Sequence, residues 1–560
     1  MKKSKLFLTL GFTLLLSLVL VACGGGSDSS SDSKSSSKDS GKPSGEQVLN
    51  LAESALIPSA DSSKADDQVG LNVLNQTNEG LYALDKDGIP AIAGAAEEPK
   101  ISDDKTVYTF KLREDAKWSN GDPVTANDYV FAWRRAVDPA TTATYSYLFD
   151  AIKNGSEIVA GEKKPEELGV KAVDDYTLEV TLAKPTTYIN SLFAFPTFFP
   201  LNEKYVTEKG DKYAQNSDSI LYNGPFVLED WTGTNKKWTY KKNDNYWDKK
   251  NVTLKQINVQ VVQDSGTSLN LYNTDKIDRA LLSAEYAAQN KDNKDYTVVN
   301  DSSTFYIKFN QKRDGKDTPL ANENIRRALA LSVDKQAYVD TVLQNGSKPA
   351  NNLVPPEFTF DPGNKEDYVK ESGAHLEYNK KEAQKYWKKG LEELGLDKLT
   401  IEFTSDDTEN AKKSSEFLQN QWQTNLEGLT VNLKNVPFKV RLQNDQDQNY
   451  DMSMSGWGPD YQDPSTFLDL FKTDGSQNRM SYSNKDYDQI LEDASVTYAA
   501  DDQKRWDEMV GAEKILLDDD VAIQPLYHRA NAYLQKDYIH NLQKNPFGPD
   551  YTYKNVYLTK

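Results

Sequence analysis

Residues 399–433 constrain the fold of this chain more than any other stretch. Leu399, Ile401 and Phe403 alternate as a strand. Ala411, Leu418, Trp422 and Leu426 fall at helical spacing, and Leu429, Val431 and Leu433 alternate again. A strand, helix and strand of these lengths imply a right-handed crossover between parallel strands, and so an α/β layer. The helix ahead of them, residues 379–394, opens on Asn379 with Glu382 three positions on and stops at Gly395.

The rest of the 560 residues, enough for two or three domains, supplies more of both elements. Val48, Leu51 and Ala52 suggest a first strand, and Leu71, Leu74, Gly80 and Leu81 suggest a helix over 69–84. Tyr108, Phe110 and Leu112 face one way in a strand over 106–112, followed by a loop that ends in a turn at 120–123. Thr125 and Asp128 frame a capping-box start for a helix whose buried stripe is Tyr129, Trp133, Ala136 and Val137. Strands are expected over 176–182, 252–262 and 521–527, and helices over 326–343 and 502–517. Pro196 and Pro200 make 193–201 a bend. No internal repeat is present. The pattern is mixed α/β in at least two lobes.

The N-terminus reads as a targeting segment. Lys2, Lys3 and Lys5 form a basic start, residues 6–21 are apolar, and Leu20-Val21-Ala22-Cys23 follows. An apolar run of about 16 residues is short for a spanning helix. Cys23 is the only cysteine, so the chain can form no internal disulfide and no cysteine metal cluster. Its setting resembles the lipobox of bacterial lipoproteins, which implies lipidation at Cys23 after removal of residues 1–22. Residues 23–45 are rich in Ser, Gly, Asp and Lys, the composition of a flexible tether. Lipid, leash and a large acidic domain together place the working part outside the cell, on the face of its membrane.

A formal net charge of −19 argues against nucleic acid, whose phosphates need Lys and Arg. His375, His528 and His540 are the only histidines, and none has a second candidate ligand at short spacing. No His-Glu-x-x-His zinc motif, Gly-x-Ser-x-Gly elbow or phosphate loop ending in Lys-Ser/Thr occurs, so no metal, cofactor or catalytic residue is assigned. The 85 acidic residues leave a glycosidase carboxylate pair open. The 31 Tyr, 9 Trp and 20 Phe are mostly core, yet they also suit a site lined with amphipathic rings for sugars or peptides.

Residues 455–471 join a half-buried strand to a helix. Tyr450, Met452 and Met454 share one strand face. Gly456 and Gly458 flank Trp457, where the backbone can turn or approach another chain closely. Asp463-Pro464 reads as an N-cap and first helical residue, with Phe467, Leu470 and Phe471 as the apolar face. Taken alone, the stretch is an ordinary turn with a solvated Asp460.

Four blocks change that reading: residues 78–82 (Asn-Glu-Gly-Leu-Tyr), 94–121, 223–226 (Asn-Gly-Pro-Phe) and 456–461 (Gly-Trp-Gly-Pro-Asp-Tyr). Together they resemble the extracellular solute-binding proteins of oligopeptide ABC transporters, from about residue 46 to the C-terminus, and the lipobox fits a Gram-positive member. The resemblance implies a two-lobe periplasmic-binding-protein-like α/β fold of type II with an extra domain and the ligand enclosed between the lobes. Domain I would comprise 46–78, 202–304 and 531–560, domain II 79–201 and domain III 305–530. It also implies that Asp460 holds the peptide ammonium and that Gly456, Trp457 and Gly458 pair with the peptide backbone. The opposite edge would come from 65–68, and Tyr145 would line the site.

The implied protein is a monomeric, non-enzymatic receptor that hands oligopeptides to a permease and its ATPase. A peptide-pheromone receptor of the same fold and a surface glycosidase or peptidase are the alternatives. Two positions depart from the family. Met454 stands where an enterobacterial relative has an Arg that meets the peptide C-terminus. Arg529 replaces a Tyr beside the cleft, where it forms a surface salt bridge or binds an acidic group.

Overall fold

The computed structural model describes residues 41–560 apart from 476, with residues 409, 438 and 439 as backbone only. The targeting segment, Cys23 and most of the tether lie outside the described residues.

The crossover at 399–433 forms as the spacing requires. Leu399–Asp406 and Leu429–Val436 pair in parallel from Leu399↔Leu429 to Asp406↔Val436, with the helix Glu409–Asn425 between them. Thr408 starts that helix by accepting the backbone N–H of Ala411 at 3.2 Å. Leu418, Trp422 and Leu426 are fully buried against the sheet. The neighbouring helix Lys380–Leu394 is capped by Asn379, whose side chain accepts from Glu382 N at 3.2 Å, and ends at Gly395 in the left-handed conformation.

These strands belong to a sheet of seven, ordered Arg279–Leu282, Ile523–Gln535, Tyr296–Phe309, Met452–Trp457, Leu399–Asp406 and Leu429–Val436, with Lys348–Pro349 joined to Ile523–Gln535. The two longest strands, Tyr296–Phe309 and Ile523–Gln535, are antiparallel, and their register slips between Asn300 and Thr304. One half of the pair packs Ala532 and Leu534 into a small core with Tyr272 and Ile277. The other half packs Ile307, Phe309, Ile523 and Leu526 into the largest core of the molecule. The two strands thus run from one core into the other, with an irregularity where they cross.

Besides short two-stranded ribbons, two four-stranded sheets form the rest of the framework. In one, Val48–Glu53 lies parallel to Gln256–Val261, followed by Lys237–Lys242 and Phe226–Glu229. Trp238, Tyr240, Tyr246 and Leu558 fill its core. In the other, Lys100–Ile101, Val107–Lys111, Thr177–Thr181 and Val170–Asp174 lie beside the helix Ala126–Val137. Thr125 N donates to Asp128 Oδ2 at 2.8 Å at the start of this helix, and Trp133 stacks on Phe193 with centroids 5.8 Å apart.

Several elements differ from expectation. The helix expected over 69–84 is Gln68–Thr77, and Tyr82–Leu84 is a strand. Glu79 is drawn away from the helix: Trp247 Nε1 donates to its carboxylate at 2.6 Å, as does the Tyr246 hydroxyl. Gly80 then sits where a Cβ would come within 2.7 Å of Phe199. The helix expected over 326–343 is Glu323–Leu331, and Asp334 caps a new segment at Lys335–Tyr338. The strand expected over 252–262 is shorter, Gln256–Val261. The helix after Trp457 is Ser465–Leu468, one residue later than expected, with Asp463 accepting Ser465 N at 2.9 Å. Among the described residues no helix is long and apolar enough to cross a membrane.

Candidate functional site

The strand Met452–Trp457 has one paired edge and one that is mostly open. Along the first, Tyr296–Phe309 pairs with it throughout, from Phe309↔Met452 to Thr304↔Trp457. Along the second, Leu399–Asp406 pairs only with Met452 and Ser453. From Met454 to Trp457 no neighbouring strand among the described residues takes up the backbone groups of that edge, which is a template for an added strand. Gly456 is required by the fold here, because a Cβ would lie 2.7 Å from the Phe305 ring. Phe305 in turn stacks on Tyr527 at 4.7 Å. Gly458 lies against Ser303 Oγ, 3.0 Å from its ideal Cβ.

Asp460 follows in the connection to Ser465–Leu468, and it is buried, 5 % exposed. This corrects the reading of a solvated turn residue. Its backbone N–H donates to Thr466 Oγ1 at 3.0 Å, and its Oδ2 accepts from the Tyr147 hydroxyl at 2.6 Å. The Tyr145 hydroxyl faces the same carboxylate. Burial pushes the Asp460 carboxyl up to about 7, and the two tyrosine hydroxyls offset only part of that. Among the described residues its partners are hydroxyl groups and not a cation.

Asp460 forms part of the wall of a cavity of about 250 Å³. Tyr147, Tyr188 and Leu192 face Trp457, Asp460 and Lys472 across it. Trp457 Nε1 is shielded from solvent and has no acceptor. Behind the wall, Tyr188 stacks on Tyr461 at 4.0 Å, and Arg505 forms a bidentate pair with Asp463 at 2.6 and 2.7 Å. Of residues 65–68, Gln68 is linked to the same segment through Gly548. Gln68 Nε2 donates to Gly548 O at 3.2 Å, and Gly548 N donates to Pro459 O at 3.0 Å.

The structure thus brings Gly456, Trp457, Gly458, Asp460 and Tyr145 into one region. Arg529 lies on Ile523–Gln535 opposite the register slip, behind the same segment: its guanidinium carbon is 5.6 Å from the Phe305 ring that packs on Gly456. There Arg529 Nη2 donates to Asp301 Oδ2 at 2.8 Å and to Ser303 Oγ at 3.3 Å. The salt bridge expected of Arg529 is present, but it is part-buried and not on the open surface: the Asp301 side chain is 5 % exposed and that of Arg529 32 %. Tyr147, Tyr188 and Tyr461 were missed by sequence reasoning. Tyr147 lies two residues beyond Tyr145 in the tight turns of Thr144–Ala151, and nothing in the sequence tells which hydroxyl reaches a carboxylate 313 positions away.

One arrangement looks catalytic on paper. Asp518 Oδ2 lies 2.8 Å from His375 Nδ1, whose Nε2 lies 2.9 Å from Ser372 Oγ. The Ser372 hydroxyl also donates to Glu513, so it is held by a second carboxylate. Among the described residues no group of three or more His, Cys, Asp or Glu could hold a metal ion.

Comparison with known proteins identifies the family of the chain. A family described as bacterial extracellular solute-binding proteins, family 5, matches residues 91–479. A dipeptide-binding protein of Lactococcus lactis subsp. cremoris is 38% identical over 512 residues, covering 90% of this chain and 92% of its own. The solved structure of Listeria monocytogenes OppA bound to peptide is 82% identical, with a TM-score of 0.85, and the match covers 92% of this chain and 100% of that one. The structure of the pheromone receptor PrgZ is 38% identical, with a TM-score of 0.83, over 92% of this chain and 100% of that one. The two-lobe α/β fold expected from the sequence is the fold of these structures, and the chain belongs to the bacterial extracellular solute-binding proteins, family 5.

Proposed function

We propose that the protein captures oligopeptides and delivers them to an ABC permease and its ATPase for import, without chemical turnover and without a cofactor. The observation that carries this reading is Asp460: a buried carboxylate with no cationic partner among the described residues, in a cavity wall beside an open strand edge. Peptides of many sequences share a backbone and charged ends. A receptor for them reads the backbone as an added strand and leaves side chains in wet pockets. The ammonium, once buried, needs a fixed carboxylate. In this reading Asp460 holds the ammonium, Gly456 to Gly458 offer the backbone edge, residues 65–68 supply the other side, and Tyr145 and Tyr147 orient the carboxylate.

The working division is domain I at 46–78, 202–304 and 531–560, domain II at 79–201 and domain III at 305–530. The protein acts as a monomer on the outer face of the membrane, held by lipid on Cys23 and a leash at 23–45. Cys23→Ala should release it into the medium, and retention of the variant on cells would contradict the anchor.

Mass spectrometry of molecules copurifying with the protein tests the main reading. Recovery of intact peptides of several sequences supports it, and recovery of cleaved products or sugars overturns it. A second reading, a dedicated pheromone receptor, is favoured by the likeness to PrgZ. One tightly bound hydrophobic peptide among indifferent ones would select that reading.

A further inference from the structure

A second cavity, about 290 Å³, lies where the two long strands pass from one core to the other. Its walls come from the end of Val48–Glu53, from Arg279–Leu282, from Ile523–Gln535 and from the segment around Asp550. Most of its charges are matched. Arg529 pairs with Asp301, and Lys544 Nζ pairs with Asp550 at 2.8 Å. Arg279 differs. It is 8 % exposed, its hydrogen-bond and ring contacts are to tyrosines, and the carboxyl whose titration it lowers, Glu53, is itself held at about 7 by burial. Its guanidinium carbon lies 3.5 Å from the Tyr533 ring centroid and 4.5 Å from that of Tyr551, and Nη2 donates to the Tyr551 hydroxyl at 2.9 Å. Its Nε is buried without an acceptor. A guanidinium has five donors and keeps its charge, so burial among aromatic rings leaves donors that an anionic guest would satisfy.

The cavity adjoins the Asp460 segment on two sides. Arg529, in its wall, donates to Ser303, and Ser303 Oγ lies against Gly458. Gln68, also in its wall, is tied through Gly548 to Pro459. On the proposed binding mode, an extended ligand anchored at Asp460 between 456–458 and 65–68 would pass beside this wall.

We propose that this cavity is a second subsite in which Arg279 receives a carboxylate of the bound peptide, either its C-terminus or an Asp or Glu side chain. The proposal rests on the reading of the protein as a peptide receptor. Stacking on Tyr533 and Tyr551 fixes the guanidinium plane, which suits bidentate recognition of a carboxylate. Glu53 lines the same cavity; burial together with Asp550 lifts it to about 7 against the opposing charge of Arg279, so near neutral pH it can carry a proton and donate to that carboxylate. The subsite accounts for the end of the peptide that Met454 leaves without an arginine.

Calorimetry with free-amine alanine peptides of four to six residues tests this. Each is used as the free acid and the carboxamide, and in versions bearing one Glu or one Gln at each position. In the wild type, one of these exchanges should weaken binding about tenfold, the scale of a charge-assisted hydrogen bond. Loss on amidation identifies the C-terminus, and loss on Glu-to-Gln exchange identifies a side chain. Arg279→Met should abolish that ratio, and Arg279→Lys, which keeps the charge, should retain part of it. Each ratio is measured within one variant, so partial unfolding scales both arms alike. A ratio that survives Arg279→Met, or no ratio in the wild type, overturns the subsite while N-acetyl-sensitive binding upholds the peptide reading. Absence of peptide binding to the wild type overturns both.

Discussion

The Tyr147 hydroxyl donates to Asp460 Oδ2 at 2.6 Å, joining two segments 313 residues apart across the wall of one cavity. This bond holds a buried carboxylate in place without neutralising it. The charge remains available to a cationic guest, and it remains costly while no guest is bound.

That cost sets a pH dependence. The Asp460 carboxyl is raised from 3.8 to about 7 by burial. Between these values the folded protein carries a proton that the unfolded chain has lost, so this group's contribution to stability falls as pH rises from about 4 to about 7. Peptide binding follows the opposite sign, because an ammonium needs the ionised carboxylate. Affinity for a free-amine peptide should weaken by up to about tenfold per pH unit below 7, read by calorimetry between pH 5 and 8. Glu53 titrates in the same range, so Asp460→Asn is the control that should flatten most of the profile.

Tyr147→Phe removes the hydroxyl that stabilises the ionised form. The midpoint of the same pH profile should move upward while the fold is retained. An unchanged midpoint would mean that Tyr147 only packs against the cavity.

The Arg505–Asp463 pair is bidentate, and its side chains are 10% and 9% exposed. Arg505→Met leaves a buried carboxylate beside Tyr188 and Tyr461, and should destabilise the protein by about 3–5 kcal/mol. Chemical denaturation measures this. Adding Asp463→Asn to Arg505→Met should recover part of the loss, because the buried charge is gone while a side-chain oxygen still caps Ser465.

Gly456→Ala places a methyl group within 2.7 Å of Phe305, which is held by its stack on Tyr527. Overpacking of this kind costs about 1–3 kcal/mol. Phe305→Leu should relieve it in the double variant, measured by thermal unfolding. Absence of rescue would place the strain elsewhere.

The crossover at 399–433 was legible because strand and helix periods differ. The helix at Ala126–Val137 was legible from its capping box at Thr125 and Asp128 and its helical apolar stripe. The helix expected over 69–84 was not, because its end is set by Glu79 reaching Tyr246 and Trp247, residues distant in the chain. Within the site, the glycines, Trp457 and Asp460 stand in one contiguous run. Tyr147 and Tyr188 come from another part of the chain and meet Asp460 only in the fold. Gly456 was read as allowing a close approach of backbone, whereas its neighbour is the Phe305 ring. Arg529 was visible as an odd residue, but its part-buried pair with Asp301 depends on a slip in strand register that periodicity does not encode.

The central claim is that Asp460 binds a peptide ammonium. Calorimetry of one peptide with a free and with an acetylated N-terminus, on the wild type and on Asp460→Asn, measures it directly. The account predicts that acetylation or Asp460→Asn each weakens binding by about 1.5–3 kcal/mol, and that the two losses do not add. Additive losses, or a wild type that binds both peptides equally, would contradict it.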